Sequence, residues 1–322
     1  MTDLTMSTPA RVAVTGGAGF IGSHTVEALV ERGCAVLVID DLSHACGEAL
    51  PDAAEILVAD CGSEEAARAL ASFAPDAVLH LAAKGGVARA LRDPGAHVRA
   101  GLASTVALFA AASDAGARRL VTASSGGTVY GNAATLPASE DLSPAPRSPY
   151  GAGKLCEEIY LAAFGILNGI PGMALRYANV YGPRQDGTGE AGVVAISCRR
   201  LAAADRALIY GDGTQQRDFV YVEDVAAANV AALGSEQSGP VNIGTGVSLS
   251  IRTVVELLCQ LYEAEVGWEF GPPRGGEVRR TCLDPARAWE WLGWSPSIAA
   301  EEGLRRTKEY FAGQASASTS AA

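Results

Sequence analysis

The sequence has little with which to build a metal site. Its seven cysteines include no C-x-x-C pair, and its four histidines are scattered, so no zinc-ligand spacing exists. Uncoordinated cysteines in a chain of this size fit a reducing cytoplasm. No apolar run reaches the length of a membrane span, and the first ten residues lack the apolar centre of a signal peptide. No long block of Lys and Arg is present and the net charge is −11. That balance argues against a general nucleic-acid binder or an anionic-membrane binder. Anionic small ligands stay open, because a few placed arginines suffice for them. No internal repeat is found. The expectation is a soluble, cytoplasmic protein with no metal, no nucleic-acid partner and no membrane partner.

What is present begins with length and apolar content. The chain has 322 residues, 48% of them hydrophobic, enough for one large α/β unit or two closely joined lobes. The first apolar run, Arg11 to Val14, opens into Val14-Thr-Gly-Gly-Ala-Gly-Phe-Ile-Gly-Ser-His24. Gly17, Gly19 and Gly22 satisfy G-x-G-x-x-G, and Gly16, Gly19 and Gly22 give a G-x-x-G-x-x-G spacing. Glycine permits a tight strand-to-helix turn and leaves no Cβ in the way of a pyrophosphate. The helix N-terminus that follows offers N–H groups and partial positive charge to the same anion. A second apolar run, Ala35 to Ile39, ends at Asp40, 18 residues after Gly22. A carboxylate there accepts hydrogen bonds from an adenosine ribose and repels a 2′-phosphate, so the pattern favours NAD over NADP.

Short apolar runs alternate with helical patterns through the first half. Strands are predicted near 11–15, 35–39, 55–58, 77–81, 118–123 and 172–176, and helices near 20–32, 64–73, 95–115 and 149–167. Such alternation builds an α/β fold with a doubly wound parallel (Rossmann) sheet, its ligand at the carboxyl ends of the strands. After Tyr177 the pattern changes. A Gly-, Pro- and charge-rich loop at 182–192 precedes shorter elements near 192–204, 207–210, 222–233, 240–243, 250–262 and 284–292. The expected division is a Rossmann domain at 1–176, a smaller substrate-binding lobe at 177–313, part of which returns to the first domain, and a disordered low-complexity tail at 314–322.

Tyr150-Gly-Ala-Gly-Lys154 follows Ser148-Pro149, a good helix entry. Tyr150 and Lys154 are four apart and share a helix face. A nearby ammonium stabilises a phenolate and brings a tyrosine towards working pH, which suits a general acid/base. Between the two signals lies Val121-Thr-Ala-Ser-Ser-Gly-Gly-Thr-Val-Tyr-Gly131, a strand running into hydroxyls and glycines.

With these residues in view, the chain resembles the extended short-chain dehydrogenase/reductases of the NAD-dependent sugar-nucleotide epimerase/dehydratase family, and within it the UDP-sugar 4-epimerases. The resemblance runs from about Arg11 to Phe311. Besides the stretches quoted, it is carried by His80-Leu-Ala-Ala83, Leu175-Arg-Tyr-Ala-Asn-Val-Tyr-Gly-Pro-Arg184, Arg217-Asp-Phe-Val-Tyr-Val222 with Asp224, Asn242-Ile-Gly-Thr-Gly246 and Pro273-Arg-Gly-Gly-Glu-Val278. It implies NAD as cofactor and 4-epimerisation of a UDP-sugar through a transient 4-keto intermediate. Tyr150 would be the acid/base, with Lys154 on the nicotinamide ribose. The cofactor set would comprise Gly16, Gly19, Phe20, Ile21, Gly22, Asp40, Asp41, Asp60 towards adenine, Cys61, Leu81, Ala82 and Ala83. Asn179, Arg217 and Arg274 would hold the diphosphate through charge-assisted bonds and Glu277 the nucleoside ribose. Lys84, Ser125, Val193, Tyr210 and Thr281 complete the implied substrate set.

The chain departs from the family pattern near the sugar. The usual catalytic Ser/Thr falls at Gly126, so Ser125 or Thr128 would supply the hydroxyl. Gly101 stands where the family has an asparagine, Ala90 where a serine is frequent, and Lys84-Gly-Gly86 where Gln-Ala-Ser is usual. A 4,6-dehydratase or a decarboxylase of the family is the enzymatic alternative. Both use a carboxylate beside the catalytic hydroxyl, and Gly126-Gly127-Thr128 has none. A noncatalytic NAD-binding scaffold or sensor is the alternative of another class. The resemblance also implies a homodimer through the helices near 95–115 and 149–167, with Ala107, Leu108, Phe109, Ile159, Leu161 and Phe164 as candidate contacts. Thr281, Gly86 and Gly126 suggest a roomy sugar pocket that admits UDP-N-acetylhexosamines or UDP-uronic acids.

Overall fold

The computed structural model describes residues 8–188, 192–273 and 278–320. Its first half is the alternation the sequence predicts. The order is β1 (Arg11–Thr15), α1 (Phe20–Glu31), β2 (Ala35–Asp40), β3 (Ala54–Val58), α2 (Glu64–Phe73), β4 (Ala77–His80), α3 (Val87–Arg92), α4 (Pro94–His97), a π-helical turn (Val98–Leu102) and α5 (Ala103–Asp114). Then come β5 (Arg119–Ser125), α6 (Gly126–Val129), α7 (Pro149–Asn168) and β6 (Gly172–Tyr177). The helix expected over 95–115 therefore runs from Pro94 to Asp114 with a π turn inside it. That turn carries Gly101, whose carbonyl accepts the Thr105 hydroxyl at 3.1 Å. The Thr105 hydroxyl thus bonds a backbone carbonyl four residues back, which competes with the regular helix ladder.

The second half comprises β7 (Asn179–Tyr181), α8 (Val193–Ala202), β8 (Ala207–Tyr210), β9 (Gln216–Tyr221), α9 (Val222–Gly234), β10 (Gly239–Ile243), β11 (Ser248–Ser250), α10 (Ile251–Leu261), β12 (Trp268–Gly271), α11 (Ala286–Leu292) and α12 (Ala300–Ser320). The expected disorder of 314–322 is corrected as far as Ser320, because α12 continues through that stretch. Phe311 is buried, Gln314 Nε2 donates to Tyr310 Oη at 2.6 Å, and the alanines favour helix. No helix among the described residues is long and apolar enough to cross a membrane.

The central sheet runs β10-β6-β5-β4-β1-β2-β3, with every pairing parallel. Successive residues of a strand face opposite sides, and here both sides are covered. Val12, Val14, Val36, Val38 and Leu79 pack with α1, α9 and α11, whereas Ala13, Leu37, Ile39 and Val78 pack with α2, α5 and α7. Burial on both faces explains why these strands read as continuous apolar runs rather than alternating ones. β10 joins the sheet beside β6 although it lies beyond residue 177. The remaining strands form two small sheets, β11-β9-β7 and β12-β8, around a separate cluster built from α8, α10 and α12.

Strand order reverses between β1 and β4, which opens a crevice at their carboxyl ends, the usual ligand position in open α/β sheets. Two buried carboxylates pin loops of the second half. Asp218 accepts the backbone N–H of Thr245, Gly246 and Leu283 and the Thr245 hydroxyl. Asp224 accepts from the Ser297 amide, its hydroxyl and the Ile298 amide, which anchors the approach to α12.

Candidate active site

The turn after β1 is built so tightly that only glycine fits. Gly16 has φ +71°, and a Cβ there would stand 2.6 Å from the Ala82 amide nitrogen. A Cβ on Gly22 would collide with the Gly16 carbonyl and lie 2.7 Å from Gly17 Cα. No side chain caps the N-terminus of α1, which begins at Phe20 behind Gly19. Asp40, at the end of β2, accepts the Ala18 amide at 3.0 Å and the Leu42 amide at 2.8 Å. Two donors leave part of a carboxylate's accepting capacity for ribose hydroxyls.

These groups line one cavity of about 830 Å³. Gly16, Gly19, Phe20, Ile21 and Gly22 form part of its wall, as do Asp40, Asp41, Asp60 and Cys61. Leu81, Ala82 and Ala83 join from the end of β4. The backbone cradle, the helix N-terminus and the carboxylate at the strand end fit a dinucleotide. Among the described residues, no group of three or more His, Cys, Asp or Glu is placed to hold a metal ion.

Lys84, implied as a substrate residue, lines this cavity and pairs with two of its carboxylates. Its Nζ lies 2.8 Å from Asp60 and also bonds Asp41. Burial opposes its charge, but the bonds to the two carboxylates win and raise its pKa. The same hydrogen bond, with that from Ser43, holds the Asp41 carboxyl far below the usual range.

Tyr150 and Lys154 line the same cavity. Ser148 caps α7 by accepting the Gly151 amide at 3.1 Å, with Pro149 in the first turn. That cap sets the face on which both side chains lie. Lys154 is buried and donates to Glu157 Oε2 at 2.9 Å. Burial alone would lower its pKa, but the charges of Glu157 and Tyr150 outweigh this and raise it. The His97 ring leans on Tyr150, with centroids 6.0 Å apart and planes at 41°. His97 and Glu157 were not singled out from sequence. Glu157 had a local signal, three residues after Lys154 on one helix face. His97 had none, since it meets α7 only through the fold. His80 also lines the cavity, held between the hydroxyls of Thr15 at 2.7 Å and Thr105 at 2.9 Å. Burial drives its pKa down to about 3, so it stays neutral near pH 7.

From the end of β5, Ala123 and Ser124 line the cavity. The Ser124 hydroxyl bonds Glu158, which forms a bidentate pair with Arg176 at 2.7 and 3.0 Å. Ser125 and Thr128 sit just beyond that lining. A Cβ on Gly127 would stand 4.0 Å from Ser125 Oγ and 3.9 Å from Asn179 Oδ1, which places these two side chains about one spot. The Thr128 carbonyl reaches the turn that carries Tyr150, lying 2.8 Å from where a Gly151 Cβ would be. The extra room expected at Gly126 is not there. A Cβ on Gly126 would meet the δ-methyls of buried Leu283 at 2.5 and 2.7 Å, so Leu283 has refilled the space.

The other candidate substrate residues gather on the smaller sheets. Val193 begins α8 and packs into that lobe's core, and Tyr210 ends β8. Arg217 lies in β9 and donates to the Gln216 carbonyl at 2.9 Å. Thr281 is buried, and its amide donates to the Gln216 carbonyl at 3.0 Å. A second cavity of about 650 Å³ is bounded by Asp212, Gln215, Phe270, Pro273 and Arg279. Arg274 and Glu277 lie outside the described residues.

Comparison with known proteins shows the family of the chain. The profile of the NAD dependent epimerase/dehydratase family matches residues 12–244. The chain is 43% identical over 307 residues to the UDP-glucose 4-epimerase of Mycolicibacterium smegmatis, covering 94% of this chain and 98% of that protein. Among solved structures it is similar to the UDP-glucose 4-epimerase of Thermotoga maritima with UDP-glucose. The TM-score is 0.92 at 40% identity, covering 94% of this chain and 99% of that one. It is also similar to the UDP-glucose 4-epimerase of Thermus thermophilus in complex with NAD. There the TM-score is 0.89 at 39% identity, with the same coverage of 94% and 99%.

Proposed function

The chain belongs to the NAD dependent epimerase/dehydratase family, and from that premise we propose that it is an NAD-dependent UDP-sugar 4-epimerase. The observation that carries the reading is one cavity walled both by the Gly16–Gly22 cradle and by Tyr150 with Lys154. NAD, when bound, supplies a hydride acceptor and then a hydride donor at the sugar's C4. The rest falls to this chain's residues. Tyr150, as phenolate, takes the proton of the 4-hydroxyl, and Lys154 stabilises that phenolate. The 4-keto sugar turns in the pocket, and Tyr150 returns the proton to the oxygen of the inverted centre. Ser125 or Thr128 donates to the same oxygen. Asn179, Arg217 and Arg274 hold the diphosphate and Glu277 the ribose, so that the sugar turns while the nucleotide stays anchored. Among the described residues Glu157 is bound to Lys154, and Gly126-Gly127-Thr128 carries no carboxylate, which argues against the dehydratase and decarboxylase readings.

The reading is tested by incubating the protein with UDP-hexoses, UDP-N-acetylhexosamines and UDP-uronic acids and identifying the products. Conversion of at least one to its C4 epimer is expected, and dehydrated or decarboxylated products would replace the reading with the alternative chemistry. Turnover of the larger sugars would show that the pocket is roomy despite Leu283.

In this reading residues 1–176 hold the cofactor and 177–313 mainly the sugar nucleotide, in a cytoplasmic enzyme. Asp40 should set cofactor choice. NAD is expected to bind more tightly than NADP, and Asp40→Ala to narrow the gap, by fluorescence titration of both. Equal affinity of the unaltered protein for the two would contradict this role.

A homodimer is also proposed. Leu108, Phe109 and Leu161 are buried against the sheet, but Ile159 stays 60% exposed on α7, and Ile166 and Leu167 are 85% and 80% exposed. Apolar side chains this open on one helix favour a covering partner. Light scattering at micromolar concentration should give twice the chain mass, and a monomer would refute the assembly.

A further inference from the structure

Tyr150 and Lys154 share their end of the cavity with a buried carboxylate. On α7, Glu157 follows Lys154 by three residues, so the two side chains meet, with Nζ and Oε2 at 2.9 Å and side-chain exposures of 5% and 10%. The neighbouring Glu158 is committed elsewhere, to Arg176 and Ser124. We propose that Glu157 is a positioning residue of the reaction: its carboxylate fixes Lys154 Nζ and offsets part of the positive field that the ammonium exerts at Tyr150. The proposal rests on Tyr150 and Lys154 acting as acid/base and partner.

The charges around this pair make Glu157 decisive. From α4, His97 leans on Tyr150, and burial lowers its pKa, with Lys154 and Arg89 adding to that and Glu157 opposing it. From the end of β4, His80 is buried and neutral, its pKa down to about 3. From the loop after β3, burial pushes the Cys61 thiol up to about 12, so it too is neutral. Asp60 shares Lys84 with Asp41. The buried ion pair beside Tyr150 is therefore Lys154 with Glu157, with Arg89 acting from α3, and the carboxylate offsets part of the ammonium's field. Deep in a cavity an opposite charge at contact distance acts far more strongly than in water. Remove the carboxylate and the ammonium acts on Tyr150 undiminished.

The sign follows. The phenolate is the form that takes the substrate proton, so kcat/KM rises with pH as Tyr150 ionises. An uncompensated ammonium stabilises the phenolate, so Glu157→Gln should move the acid limb to lower pH by about 0.5 to 1.5 units. Glu157→Asp keeps the charge with a shorter reach and should move it less, in the same direction. Two readouts are taken on the full-length protein. One is the pH profile of kcat/KM for a UDP-hexose that it epimerises. The other is ultraviolet titration of the phenolate, with Tyr150→Phe as the blank. A downward shift of both in the Gln variant, smaller in the Asp variant, supports the proposal. Unmoved profiles, or an upward shift, overturn it. If the Gln variant fails to fold by thermal melt, the Asp variant decides alone: no shift there overturns the proposal. Should Tyr150→Phe retain full turnover, the functional reading itself fails. Should Tyr150 be essential while Glu157→Gln leaves both titrations unmoved, only this inference fails.

Discussion

Tyr150→Phe is expected to lower turnover by about 10²- to 10⁴-fold, the usual scale of general acid–base catalysis, while NAD and UDP-sugar still bind near normally. The substitution removes one hydroxyl and little else. The ring that leans on His97 is retained, and the helix entry rests on the Ser148 cap, which the change does not touch. A loss confined to kcat is the signature of an interaction made in the transition state. Steady-state kinetics with a binding titration checks it, and near-normal turnover would remove Tyr150 from the mechanism.

Gly22→Val should act on the cofactor rather than the chemistry. Any side chain at position 22 is driven into the Gly16 carbonyl and towards Gly17 Cα, 2.7 Å from its Cβ. Those obstacles are backbone and cannot rotate away, so the turn must open and the cradle is lost. Forced overpacking costs about 1 to 3 kcal/mol or more, and about 1.4 kcal/mol is already tenfold in affinity. NAD affinity is therefore expected to fall at least ~10-fold. Gly313→Ala is the control, because a Cβ there meets no heavy atom within 4 Å. Equal NAD content in both purified variants would contradict the cradle.

The parts that could be read from the chain alone are those with a local physical signature. The strands of the central sheet are buried on both faces and so announce themselves as short apolar runs. The glycine turn and the Tyr150/Lys154 spacing are encoded within a few residues of one another. What escaped depends on distant partners or on very short elements. β7 and β11 have three residues each, too few to show a period, and β9 opens on Gln216, Arg217 and Asp218. Lys84 is held by Asp41 and Asp60, both more than 20 positions earlier in the chain. The space beside Gly126 is closed by Leu283, from a segment that Asp218 pins in place. The end of α12, from residue 314, reads as a low-complexity tail because its anchors, Tyr310 and Phe311, precede that stretch. Glu157 was within reach of an i,i+3 argument, but only burial shows that its pairing with Lys154 faces the cavity.

The most direct test of the account is to run the reaction in D₂O with a UDP-hexose and examine C4 of the product by NMR. In the proposed mechanism Tyr150 moves the oxygen-bound proton, which exchanges with solvent, whereas the hydrogen on C4 leaves and returns as a carbon-bound hydride, which does not. The epimer should therefore form with protium at C4. Deuterium at C4, or no epimer from any UDP-sugar supplied, would contradict the account.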